Sequence, residues 1–119
     1  MGSRRVGQEG EQAAAACLEG LGYRILARNV RFRAGEIDIV ATEGGFLVFV
    51  EVKTRRGSRF GSPAEAVTAE KQRRLVRLAG IYLAHRGGNP PPCRFDVVSV
   101  ELGPDGGYRC SVIKGAFTA

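Results

Sequence analysis

The residues best equipped for chemistry flank a diglycine: Glu36 and Asp38 lie before Gly44-Gly45, Glu51 and Lys53 after it. Segments 36–42 and 46–54 are rich in Ile, Val and Phe, and Glu43-Gly44-Gly45 between them is a hairpin signal. With Gly44 and Gly45 at the centre of a tight turn, paired positions sum to one number, which sets Asp38 opposite Glu51 and Glu36 opposite Lys53 on one face. Residues so opposed have Cβ atoms about 4.5–5.5 Å apart, and like charges there destabilise the pair unless something compensates. A divalent cation would do so. Mg²⁺ or Mn²⁺ takes oxygen ligands, often one or two carboxylates with water and substrate phosphate, which suits Asp38, Glu51 and the Val52 carbonyl. Such an ion lowers the pKa of a bound water and polarises a phosphoryl oxygen, the chemistry of phosphodiester hydrolysis, with Lys53 placed to add positive charge or help deprotonate the water. The same spacing also fits a solvated ladder of cross-strand ion pairs that needs no metal.

The elements that must position these groups follow from periodicity. Ile37, Ile39, Val50 and Val52 alternate with the charged residues, so the opposite face of the hairpin is expected to pack into the core. Residues from about Arg4 to Leu21 have Ala14, Cys17, Leu18 and Leu21 at helical spacing, with Gly20 and Gly22 as a stop. Tyr23 to Phe32 reads as a half-exposed strand closed by an Ala34-Gly35 turn. Ser62-Pro63-Ala64-Glu65 carries helix-start signals after the basic loop Arg55 to Gly61, and the main helical run, about Ala69 to His85, has Leu75, Leu78, Ala79 and Tyr82 on one face. Arg94 to Leu102 reads as a buried strand and Tyr108 to Ile113 as a last one, giving the order α-β-β-β-α-β-β.

Composition sets outer bounds. The 119 residues fit one domain, 1–119, with a real apolar core. The formal net charge is +6, which favours polyanionic partners, although 15 of the 18 basic residues are arginine and biased codon usage gives the same excess. Cys17, Cys93 and Cys110 are widely spaced and lack a zinc pattern, so they are expected to be small buried residues in a reducing compartment. With no apolar stretch of membrane-spanning length and no signal-peptide pattern, a cytoplasmic location is expected and a membrane partner is not. Phosphate loops, Ser/His/Asp sets and Rossmann fingerprints are missing, which excludes the commoner NTPase, serine hydrolase and nicotinamide classes.

Asp38, a 12-residue gap and Glu51-Val52-Lys53 resemble the D-(x)n-(D/E)-x-K core of the PD-(D/E)xK nuclease superfamily. More specifically, Gly35-Glu36-Ile37-Asp38-Ile39-Val40-Ala41, Val48-Phe49-Val50-Glu51-Val52-Lys53-Thr54-Arg55 and Phe60-Gly61-Ser62-Pro63, in this order, resemble the signatures of the bacterial YraN family. The conventional proline before the first aspartate is replaced by Ile37. The resemblance implies an α/β, restriction-endonuclease-like α-β-β-β-α-β core with a mixed sheet flanked by helices. It also implies a predicted Mg²⁺- or Mn²⁺-dependent DNA endonuclease, similar to archaeal-type Holliday-junction resolvases and so suited to branched or structured DNA. By the same resemblance Asp38, Glu51, Lys53 and Glu11 are catalytic, Asp38, Glu51, Val52 and Glu11 bind metal with Glu36 beside them, and a homodimer is expected. A different class of function, a non-catalytic nucleic-acid or protein-binding module on the same fold, shares all these motifs and differs in having no metal-dependent cleavage.

Glu11 lies on the helical face of Ala14 and Leu18 and so points toward the sheet, while Glu36 could instead pair with Lys53. Arg55, Arg56 and Arg59 follow Lys53 and are candidates for gripping flanking phosphates, against the plainer reading of a solvated loop. Arg73, Arg74 and Arg77 are expected to form an ordinary polar helix face, with contact to nucleic acid as the alternative; His85 reads as a helix-end residue, and Asp96 as a structural carboxylate bonded to backbone or an arginine.

Overall fold

A computed structural model describes residues 2–56 and 67–117, with side chains from residue 8 onward except that of residue 56. Helix α1 (Gly2–Gly20) is followed by strands β1 (Arg24–Phe32), β2 (Gly35–Glu43) and β3 (Phe46–Arg56), helix α2 (Ala69–Arg86), and strands β4 (Cys93–Leu102) and β5 (Tyr108–Phe117). The helix-start signals at Ser62-Pro63-Ala64-Glu65 lie outside the described residues. Helix α2, the main helical run expected from about Ala69, begins behind Thr68, whose side chain accepts from the Lys71 N–H, and ends where the N–H of Gly87, at φ +73°, donates to the Leu83 carbonyl.

The five strands form one sheet in the order β1-β2-β3-β4-β5. Neighbours are antiparallel except β3 and β4, which run parallel, from Leu47 beside Cys93 to Arg56 beside Leu102. That parallel step requires a crossover, and α2 supplies it. The fold is therefore α/β with a mixed sheet, consistent with an α-β-β-β-α-β restriction-endonuclease-like core. The β2–β3 turn falls on Gly44 and Gly45, both at positive φ (59° and 84°), as a two-residue hairpin requires. The preceding turn sits on Arg33-Ala34, one residue earlier than expected, with Gly35 already paired to Phe32. Strand β5 runs four residues beyond its expected end at Ile113.

Both faces of the sheet are covered by helices, as the resemblance implied. Val48 and Val50 join Ala13, Ala14, Ala15 and Leu18 of α1 in one cluster, whereas their neighbours Leu47 and Phe49 join Leu75, Leu78 and Ala79 of α2 in another. Because alternate residues of a strand point to opposite faces, α1 and α2 must lie on opposite sides of the sheet. Fully burying each large side chain among them contributes roughly 1.5–3 kcal/mol. Ile39 and Val52 pack on the α1 side as Val50 does, but Ile37 packs on the α2 side with Val40, so strict alternation breaks at Asp38. On β1, Ala27 and Val30 break the alternation in the same way, and between them Asn29, paired by register with Asp38, has φ +53°.

The cysteines depart from the expected buried set: Cys93 is exposed, and Cys17 and Cys110 are half-buried. Among the described residues, no helix is long and apolar enough to cross a membrane.

Candidate metal centre

Strands β2 and β3 follow the expected register from Glu43–Phe46 to Ile39–Val50, each pair summing to the same number. Beyond Val50 the side chain of Asp38 takes over: its Oδ2 accepts from the Val52 N–H at 2.8 Å. A carboxylate thereby occupies a position that a backbone carbonyl fills in a regular ladder, and Asp38 is drawn between the two strands at the break in alternation.

Helix α1 delivers Glu11 to the same place. Gly10, one residue before it, is buried against β3, where an added Cβ would lie 1.8 Å from Thr54 Oγ1 and 2.6 Å from Thr54 Cβ. Glycine is thus required for the helix to approach the strand next to Lys53. One ligand oxygen from each of Glu11, Glu36 and Asp38 lies within 4.8 Å of the others, a spacing that could hold a metal ion. The donors are all carboxylate oxygens, the set preferred by hard divalent cations.

Glu51 and Lys53 border this cluster from another direction. Alternation places them on the face of Leu47 and Phe49, toward α2, and the charges that act on Glu51 are those of Lys53, Lys71 and Arg74. Glu51 nevertheless remains the strongest charged neighbour of Asp38. Burial foremost, then repulsion from Glu51, Glu11 and Glu36, lifts the Asp38 carboxyl to about 7 despite the stabilising Val52 hydrogen bond. Burial likewise raises Glu51, against the pull of the three cations. Lys53 is held below the usual lysine range, first by the nearby Lys71 side chain and then by burial, although Glu51 and Asp38 oppose the shift.

The alternative pairing of Glu36 with Lys53 is corrected. Glu36 Oε2 accepts from Arg31 Nε at 2.9 Å on the outer strand, and Lys53 meets Lys71. Arg55 continues β3 opposite Glu101 of β4, and is half-buried instead of standing in a solvated loop. The Arg56 side chain and all of Arg59 lie outside the described residues. His85 stacks on Phe32 with ring centroids 5.6 Å apart, a packing role at the end of α2.

Arg74 does more than line a polar helix face, since its charge acts on Glu51, and so does that of Lys71, on the same basic side of the helix. The signal for both was present: Lys71 precedes buried Leu75 by four residues, and Arg74 precedes buried Leu78 by four, so both stand at the edge of the apolar stripe. For Gly10 the signal was a glycine inside an alanine-rich helix, immediately before the one acidic residue on its buried face.

The fold and this cluster define an α/β protein with a restriction-endonuclease-like core and an acidic site able to hold a metal ion. The Uncharacterised protein family UPF0102 matches residues 10–100. The chain is 70% identical over 117 residues to a UPF0102 protein of Symbiobacterium thermophilum, covering 98% of this chain and 99% of that one. UPF0102 proteins of Moorella thermoacetica (54% over 120 residues, 98% of each chain) and Mycolicibacterium vanbaalenii (53% over 110 residues, 92% and 91%) are also similar. The chain belongs to the UPF0102 family, the YraN family of the motifs above.

Proposed function

We propose that this protein is a divalent-metal-dependent endonuclease that hydrolyses phosphodiester bonds in DNA, with branched or otherwise structured DNA as its substrate. The observation that carries the reading is the convergence of Glu11, Glu36 and Asp38 from α1 and β2 with ligand oxygens within 4.8 Å of one another. Three carboxylates gathered beside a fourth, Glu51, repel one another, and a cation relieves that repulsion.

Asp38, Glu11 and Glu36 would hold Mg²⁺ or Mn²⁺, with Glu51 and the Val52 carbonyl alongside. When bound, such an ion supplies an activated water and charge neutralisation at the phosphoryl group. The chain's own residues do the rest. Lys53, poised by Lys71 and by burial, sits beside Glu51 where it can hold or take up a proton. The Val52 N–H fixes one oxygen of Asp38 and leaves the other for the ion. Arg55, near the end of β3 just beyond Lys53, would add positive charge for a phosphate flanking the scissile one.

The test is cleavage of linear, nicked, single-stranded and four-way-junction DNA with Mg²⁺, Mn²⁺ or EDTA, by the wild type and by Glu51→Ala. Metal-dependent cutting that disappears in the variant is expected, and the preferred substrate is the junction. Binding without cutting under every condition would overturn the reading in favour of a non-catalytic nucleic-acid-binding module.

A further inference from the structure

A second charged cluster lies against the first on the α2 side. The first turns of α2 wall a cleft of about 470 Å³ lined by Thr68, Glu70, Lys71, Arg73, Arg74 and Arg77. Four of those six residues are cations and one is an anion, so the cleft is strongly positive. Its inner edge meets the site already described, because Lys71 lies close to Lys53, and Lys71 and Arg74 both act on Glu51.

Two lysine amino groups so close repel one another for the same reason that clustered carboxylates do, and an opposite charge relieves the repulsion. Glu51 compensates only in part, being shared among Lys53, Lys71 and Arg74. An anion entering the cleft would meet Lys71 as a point charge and Arg74 as a planar fork, the pair of donors that suits a phosphate. No hydrogen bond or ion pair within the protein ties Arg73, Arg74 or Arg77 to a carboxylate among the described residues.

We propose that this cleft seats a phosphate of the substrate strand next to the scissile bond, gripped by Lys71 and Arg74, with Arg73 and Arg77 extending the track outward along α2. The inference rests on the nucleic-acid reading above and deepens it. The acidic cluster on the α1 side takes the cation, the α2 cleft takes the anionic backbone, and Glu51 and Lys53 lie at the boundary.

Salt dependence of binding tests it, since each lost phosphate contact lowers the slope of log K against log salt by about 0.9 on duplex DNA. Binding of a short fluorescent duplex, with Ca²⁺ in place of Mg²⁺ to suppress turnover, is followed from 50 to 300 mM salt, which are assay conditions of roughly the physiological range. The Lys71→Ala/Arg74→Ala protein is expected to lose one to two contacts' worth of slope and at least about tenfold in affinity at low salt. Lys71→Arg keeps the slope, and so does Arg109→Ala on exposed β5. Wild-type slope and affinity in the double variant would overturn the cleft while leaving metal-dependent cleavage intact. A wild-type protein that binds no duplex would overturn the cleft and the proposed function together. Wild-type binding with the expected loss of slope, but without cleavage in Mg²⁺, would uphold the cleft and sink the nuclease alone.

Discussion

Asp38, half-buried, and Asp96, fully buried, are carboxylates of the same sheet, and their surroundings are opposite. Asp96, in β4, is 0% exposed, yet both of its oxygens are engaged: Tyr23 Oη donates at 2.7 Å, Arg94 donates through Nε and Nη2 at 2.9 Å each, and the Gly115 N–H donates at 2.9 Å. Arg94 also pairs with Glu43 at 2.8 Å, and Glu43 with Lys114 at 2.9 Å, so two acids meet two bases at that end of the sheet. The Asp96 contacts push the Arg94 pKa upward and, after burial itself, the Tyr23 pKa too. Asp38 has one backbone donor and three carboxylate neighbours. At one end the chain neutralises its own buried charge; at the other Arg31 offsets Glu36 and three cations act on Glu51, but the strongest charged neighbours of Asp38 are carboxylates. Perturbed groups that the fold leaves uncompensated are the ones to associate with function.

Substitutions sharpen this contrast. The largest effect is expected for Asp96→Ala, which strands Arg94 and Tyr23 and should cost roughly 3–5 kcal/mol in urea unfolding. Gly10→Ala comes next, at about 1–3 kcal/mol, because the new methyl must displace α1 from Thr54. The same change should weaken metal binding by moving Glu11, and a Thr54→Gly background should recover much of both losses.

Asp38→Asn is expected to act in the opposite sense to Asp96→Ala, stabilising the metal-free protein by about 1–2 kcal/mol at pH 8. The sign follows from its raised pKa. The folded state holds a proton that the unfolded chain has released, so this contribution is complete below the ordinary carboxylate value of 3.8 and is lost as pH rises through about 7. Metal-free wild type should therefore lose stability between pH 4 and 8, Asp38→Asn should lose less, and millimolar Mn²⁺ should restore wild type alone. The smallest effect belongs to Arg31→Ala. Its ion pair with Glu36 has an arginine side chain 78% exposed, and below about 0.5 kcal/mol should be lost.

Much of this was legible in sequence because it is local. The diglycine turn fixes the hairpin register, and apolar runs fix the element order. Asp96, placed among apolar residues in a strand, announced a structural carboxylate. What was missed depends on tertiary geometry. Alternation alone set Ile37 on the same face as Ile39, whereas Ile37 packs toward α2 and Ile39 toward α1. The break in alternation at Asp38 arises where β2 leaves β3, and no local pattern encodes it. Lys71 and Arg74 read as surface charge until α2 is laid across the sheet, which brings them to Glu51.

On this reading the acidic end of the sheet is built for a divalent cation. Calorimetric titration of Mn²⁺ into the wild type and Asp38→Asn at pH 7.5 tests it most directly. A single saturable class of site that strengthens from pH 6 to 8, as protons cease to compete for Asp38, and that disappears in the variant is the predicted result. Absence of saturable binding in the wild type, or equal binding by both proteins, would contradict it.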